Sequence, residues 1–267
     1  MTDPVICFGQ QPCGFFPKRF LVAKLTAARR LRREIGGRIV WFFHDSDHDY
    51  RETTTPLRDR QTGELKRLNF DHTGKIQKKY SPLYAKRILP GWRDRTARVL
   101  PCFVEPALVD AFEQVGAETA AGFCLEMYGR QGLLEGVEIV RSGDPEVRRR
   151  AIDIDDCYVD VPYEGEIVRA RRQGGKYILH RGGDLFLEIP GPERPGKEQI
   201  SPTRDTRLRW MQSVVRCTHY VCGAGEAQYL KRDEAPEIAF VERDVVDRPH
   251  ESWIGDEQEG RDAAARV

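Results

Sequence analysis

Six consecutive residues, His44-Asp45-Ser46-Asp47-His48-Asp49, carry five titratable side chains. Such density is costly to pack, because buried charges must be paired or hydrogen-bonded. Some of these groups should therefore face a ligand or water. Three uses fit the residue types. An imidazole beside a carboxylate is what a general base with an orienting partner needs. Imidazoles and carboxylates also suit zinc, manganese or iron. A solvated loop is the third. If the preceding strand ran on, His44, Ser46 and His48 would face one way and the three aspartates the other, leaving no triad on a single face.

Three other segments have similar polarity. Gly9-Gln10-Gln11 joins an apolar run to a helical pattern, where backbone N–H groups can hold an anion and two amides can orient a polar substrate. Gly223-Ala-Gly225-Glu226 has the same context; its glycines allow close backbone approach, but the later glycine of a dinucleotide fingerprint is missing and no Walker loop occurs. Glu242-Arg243-Asp244 follows the last apolar run. Arg204, Arg207 and Arg209 could offer a guanidinium to an acidic substrate or form a solvated helix face. Cys13 could be a nucleophile, but no partner for it is identifiable. Lys75-Ile-Gln-Lys-Lys-Tyr-Ser81 is faintly similar to the lysine loop of class I synthetases, but it stands at the wrong place in the chain and is set aside.

The elements that must position these residues follow from periodicity. Val5–Phe8 and Arg38–Phe43 are apolar runs read as buried strands, joined by helical spacing over 20–34 that stops at Gly36-Gly37. Strand, helix and strand in so short a span predict a parallel βαβ unit. A second helix is predicted over 105–129, a strand at Val137–Arg141, a helix start at Asp144-Pro145-Glu146, a helix over 203–216, and strands at Thr218–Cys222 and Glu237–Val241. Between them, 164–190 alternates and turns at Gly174-Gly175 and Gly182-Gly183, as an antiparallel meander does. The expectation is an α/β chain with a small antiparallel β insertion: one core over 1–255, a loop or helical insertion over 51–100, and a flexible tail over 256–267. In such sheets ligands sit beyond the carboxyl ends of the strands, where all four polar segments fall.

Composition bounds the function. The chain has 267 residues, with 43 basic and 42 acidic side chains for a net charge of +1. That balance argues against a dedicated nucleic-acid coat. No apolar run approaches the length of a membrane helix, and no secretory pattern opens the sequence, so a cytoplasmic protein acting on small molecules is expected. Seven scattered cysteines without a Cys-x-x-Cys pair point to neither a disulfide framework nor a zinc ribbon.

Three stretches, in order, resemble the bacillithiol-biosynthesis cysteine-adding enzymes, the cysteine ligase family. Gly9-Gln10-Gln11 with Lys24 is similar to that family's opening loop and helix lysine. Trp41 to Tyr50, with Asp47-His48-Asp49-Tyr50, is similar to its Asp-His-Asp-aromatic strand end. Ser201-Pro202 to Leu208-Arg209, then Tyr220 to Tyr229, resemble its Ser-Pro…Leu-Arg segment and glycine loop; Gly143-Asp144-Pro145-Glu146 also has a counterpart. The sequence departs at Pro12 to Lys18 and at Cys222-Gly-Ala-Gly. The family's longer members add a helical domain and a coiled coil for which 267 residues leave no room.

The resemblance implies a Rossmann-like core of the nucleotidyltransferase and class I synthetase type. It also implies an amide bond formed between the cysteine carboxylate and the amine of glucosaminyl-malate. His48 would deprotonate the amine, flanked by Asp47 and Asp49. Gln10, Gln11, Lys24, His44, Arg207, Arg209, Gly223, Gly225, Glu226 and Arg243 would bind substrate. ATP is the one cofactor named, no residue is assigned to a metal, and no nucleic-acid or membrane partner is expected. Two other readings stand beside it: a metal-dependent hydrolase built on His44–Asp49, and a silent binding or scaffold member.

Overall fold

A computed structural model describes residues 3–58, 62 and 64–246. The chain opens with β1 (Val5–Gln10), α1 (Arg19–Ile35) and β2 (Arg38–Phe43), continues through a hairpin of β3 (Thr55–Arg58) and β4 (Leu65–Leu68), and then forms α2 (Lys75–Tyr80), α3 (Trp92–Ala97), α4 (Pro106–Glu113) and α5 (Ala120–Arg130). After β5 (Val137–Arg141) and α6 (Pro145–Arg150) come four consecutive strands: β6 (Cys157–Tyr163), β7 (Glu166–Gln173), β8 (Lys176–Gly182) and β9 (Leu185–Ile189). The chain closes with β10 (Ile200–Pro202), α7 (Arg207–Val215), β11 (His219–Cys222), α8 (Ala224–Ala227) and β12 (Ala239–Glu242).

Five strands form one parallel sheet in the order β12-β11-β1-β2-β5. Ranked along the chain, that is 5-4-1-2-3, the Rossmann order, which reverses direction between β1 and β11. The fold is therefore α/β and Rossmann-like. Side-chain alternation explains the layers. Ile6, Phe8, Ile39, Trp41 and Phe43 pack against α1, α4 and α5 on one face, and Cys7, Val40 and Phe42 pack with α6 and α7 on the other. Strands covered on both faces need the continuous apolar runs seen in β1 and β2.

The second sheet is antiparallel, in the order β10-β6-β7-β8-β9, with its own core of Val159, Val161, Val168, Ala170 and Leu179. Tyr80 of α2 packs into that core. The insertion is thus larger than the meander expected over 164–190: it begins at Cys157 and ends at Pro202. Asp160 and Pro162 obscure the strand pattern of β6, yet Asp160 is buried and ion-paired.

Other expectations shift for local reasons. The helix expected over 105–129 is two helices, α4 and α5. The Glu126 carboxylate accepts from the N–H groups of Gly116 and Ala117 at 3.0–3.1 Å and fixes the break, while Thr119 caps α5 through Gly122 N–H. The segment 51–75 holds the β3–β4 hairpin, anchored where the Thr55 hydroxyl accepts from Phe15 N–H at 3.0 Å. The helix expected from 203 begins at Arg207, and the one expected after Gly225 is the single turn α8. The tail expected over 256–267 lies outside the described residues. Among the described residues no helix is long and apolar enough to cross a membrane.

Candidate functional site

The ends of β1 and β2 meet closely. His44 N–H donates to Gln10 C=O at 3.0 Å, after which the chain turns, with Asp45 N–H on Phe43 C=O and Asp47 N–H on His44 C=O. The strand alternation therefore stops at Phe43, and the six polar residues point in separate directions. His44 is buried edge-on to Phe42, and burial, reinforced by Arg207 and Lys24, holds its imidazole neutral, well below the usual range. Asp45 is fully buried and faces the end of β5, accepting from Arg141 Nε and Gly143 N–H, each at 2.7 Å. It is a structural clamp. Among the described residues no three His, Cys, Asp or Glu side chains are grouped to hold a metal ion.

Asp47, His48 and Asp49 do converge on a cleft of about 650 Å³ beyond the carboxyl end of β2. Asp47 accepts from the N–H groups of His48 (2.6 Å) and Asp49 (3.3 Å) and from Gln11 Nε2 (3.1 Å), and lies 3.5 Å from Arg169 Nη1. Burial alone would raise its carboxyl, but Arg169, His48 and these donors hold it well below the usual range. Burial pushes the His48 imidazole down to about 4, with Arg169 and Lys86 adding to the effect and Asp47 opposing it. His48 is thus neutral at pH 7 and half-buried at the cleft edge. Its Nδ1 lies 3.7 Å from Asp47 Oδ1 and 3.4 Å from Arg169 Nη1. The Asp49 carboxylate also accepts from Arg51 N–H, at 2.9 Å, which tightens the turn leaving the site.

Arg169, from β7 of the antiparallel sheet, was not anticipated. It is held on every side: Nε donates to Ser201 Oγ at 3.1 Å, Nη2 to Pro202 C=O at 2.7 Å, and the guanidinium carbon sits 3.9 Å from the Tyr158 ring centroid. One signal was available, a charged residue between Val168 and Ala170 in a strand otherwise apolar at its centre. The cleft is also lined by Lys75, Lys78 and Lys79 of α2 and His180 of β8. The lysine segment set aside for its place in the chain is brought to the site by the packing of α2 on the antiparallel sheet.

Most of the remaining candidates gather at the switch point between β1 and β11, around a buried ion pair. Lys24 Nζ donates to Gly9 C=O (2.7 Å), Gln10 Oε1 (3.4 Å) and Glu226 Oε2 (2.6 Å), and Tyr220 OH donates to the other oxygen of Glu226 (2.8 Å). Gly9 is required here: a Cβ would lie 2.5 Å from Tyr220 Oη and 2.6 Å from His44 Nε2. Gln10 is turned inward and donates to Gln11 Oε1, so of the two amides expected to orient substrate only Gln11 lines the cleft. Arg207 Nη2 donates to Tyr229 OH at 3.2 Å, and Gly223 packs under Arg243, whose Nε would lie 2.9 Å from an added Cβ. Gly225 meets nothing within 4 Å of a Cβ, so packing does not demand glycine there. Arg209 is elsewhere: it is exposed and pairs with Glu237 at 2.9 Å, since two residues along a helix from Arg207 is a different face.

Fold and site together define a Rossmann-like α/β protein whose polar cleft lies beside the switch point, between the end of β2 and an inserted antiparallel sheet. No protein-family model matches this chain, and a search of curated proteins finds no significant match.

Proposed function

We propose that the protein is a small-molecule enzyme of the cysteine-ligase kind, forming an amide between an amino-acid carboxyl group and the amine of a polar acceptor. The observation that carries this is the neutral His48, held between Asp47 and Arg169 at the edge of a cleft beyond the parallel strands. A general base must be unprotonated at working pH and within reach of the attacking nitrogen. His48 meets the first condition because burial and Arg169 disfavour its cation.

In the proposed step the amine nitrogen attacks the acyl carbon, the new C–N bond forms, and the amine proton passes to His48. The bond from the acyl carbon to its leaving group then breaks. A free carboxylate is a poor acyl donor, so the donor is activated, ATP being the nucleotide that would supply the leaving group. Arg169 faces both Asp47 and His48, where it would offset negative charge developing on the acyl oxygen.

The test is mass-spectrometric detection of the amide from cysteine and glucosaminyl-malate, with and without ATP. His48→Ala should cut turnover by about 10²–10⁴ with unchanged thermal unfolding. Asp47→Asn should cut it by up to about 10⁴ through loss of the orienting charge. Its unfolding temperature should fall, because Arg169 loses its carboxylate partner, but its circular dichroism at the assay temperature should stay native. Full activity in both variants would remove the assignment.

A further inference from the structure

Besides Asp47, His48 and Asp49, the cleft is lined by three lysines that amide formation leaves without a task. Lys75, Lys78 and Lys79 stand at i, i+3 and i+4 of α2 and so share one face, which lines the cleft. Among the described residues none of the three is paired with a carboxylate. Lys78 Nζ lies 4.7 Å from the Tyr50 ring centroid, and Lys79 donates to Arg181 C=O. Glu52 is a further carboxylate lining the cleft.

Like charges on one helical face repel, yet α2 is fixed from beneath. Lys86 Nζ donates to the carbonyls of Gln77 (3.1 Å), Lys78 (2.9 Å) and Ser81 (2.6 Å), and the buried Gln77 side chain donates to Glu166 at 3.1 Å. The helix that carries the lysines is therefore fixed before any ligand arrives, and an anion entering the cleft relieves their repulsion. Planar carboxylates are matched best by the fork of arginine, whereas lysines act as separate point charges that can surround a tetrahedral oxyanion. Asp47, Asp49 and the neutral His48, which line the same cleft, suit an amine.

Resting on the amide-forming reading, we propose that the α2 face of Lys75, Lys78 and Lys79 binds a phosphoryl group of a small substrate while its reacting end lies at His48. Two sources share this chemistry: a phosphorylated amine acceptor, or the polyphosphate of an activating nucleotide.

Isothermal titration of the full chain tests this, with glucosamine 6-phosphate, glucosamine, inorganic phosphate, ATP and malate as probes, against Lys78→Gln/Lys79→Gln and His48→Ala. At least one phosphorylated probe should bind tenfold or more tightly than its unphosphorylated counterpart or malate. The lysine variant should lose that advantage with its thermal unfolding intact, and His48→Ala should keep it. Loss confined to glucosamine 6-phosphate identifies the acceptor as the source, and loss confined to ATP identifies the nucleotide; either supports the site. Equal binding with and without phosphate, retention in the lysine variant, or lysine-dependent binding of malate alone would overturn it. The two ideas fail separately: lysine-dependent phosphate binding without any amide product sinks only the ligase, and amide formation with lysine-independent binding sinks only the phosphoryl site.

Discussion

His48 lies in the loop after β2 and Arg169 on β7 of the other sheet, and their proximity makes the imidazole's behaviour depend on the guanidinium. Arg169 Nη1 stands 3.4 Å from Nδ1, and a neighbouring cation disfavours imidazolium. With the imidazole held at about 4, the acid limb of kcat/KM for the proposed reaction should lie near pH 4 instead of near the ordinary 6.5. Arg169→Gln removes that cation and should move the limb upward by about one pH unit, a shift also readable without substrate from the His48 ring resonances by NMR. An unmoved His48 titration would show that burial alone sets it. The same residues govern acid stability. Below about pH 6.5 the unfolded chain binds protons at His44 and His48 that the folded chain does not, so stability is present above that pH and falls as pH drops toward 4.

Among the elements, the carboxyl ends of β1, β2 and β11 are packed so tightly that a single methyl group is excluded. Gly9→Ala would drive its Cβ against Tyr220 Oη and His44 Nε2. Overpacking of this kind costs about 1–3 kcal/mol, to be measured by urea unfolding. Tyr220→Phe on the Gly9→Ala background should recover part of that loss, because it removes the nearer clashing atom. No recovery would mean that the strain resides at His44. Lys86 acts at the same scale by closing the end of α2. Burial pushes its amine down to about 7, Asp47 and Asp49 oppose this, and three carbonyl acceptors match the three N–H groups of an ammonium.

For the whole molecule, the decisive feature is the joint between the two large sheets. Arg148 of α6 is buried; its Nε donates to Ser142 C=O after β5 (2.8 Å), and its Nη1 to Asp160 of β6 (2.6 Å) and Glu198 C=O (2.9 Å). Tyr84 OH donates to the same Asp160 oxygen at 2.7 Å, and Tyr84 N–H to Asp45 C=O at 3.0 Å. Removing one partner of a buried pair strands the other charge, so Arg148→Met should cost about 3–5 kcal/mol. Arg148→Met/Asp160→Leu should recover much of it. Hydrogen exchange in β6 and β7 should rise in the single variant, because these strands carry Arg169 to the cleft; unchanged exchange there would show that the joint does not steady the site.

What the sequence determined by itself is the part that depends on local periodicity and on adjacency along the chain. Continuous apolar runs separated by helical spacing made β1, α1 and β2 legible, and parallel strands place polar segments at one end of a sheet, so Asp47, His48, Asp49 and Gln11 could be assigned to one cleft. Tertiary structure alone decided the rest. It separated Arg209 from Arg207, turned Gln10, His44 and Asp45 inward, and tied Lys24, Glu226 and Tyr220 together at the switch point. It also delivered Arg169 and His180 from an antiparallel insertion whose strand β6 hides a buried Asp160 in its pattern, and packed α2 with its lysines against that sheet. The physical reason is that residues over a hundred positions apart become neighbours only through sheet packing, and pattern along the chain records which face a side chain takes but not what stands opposite it.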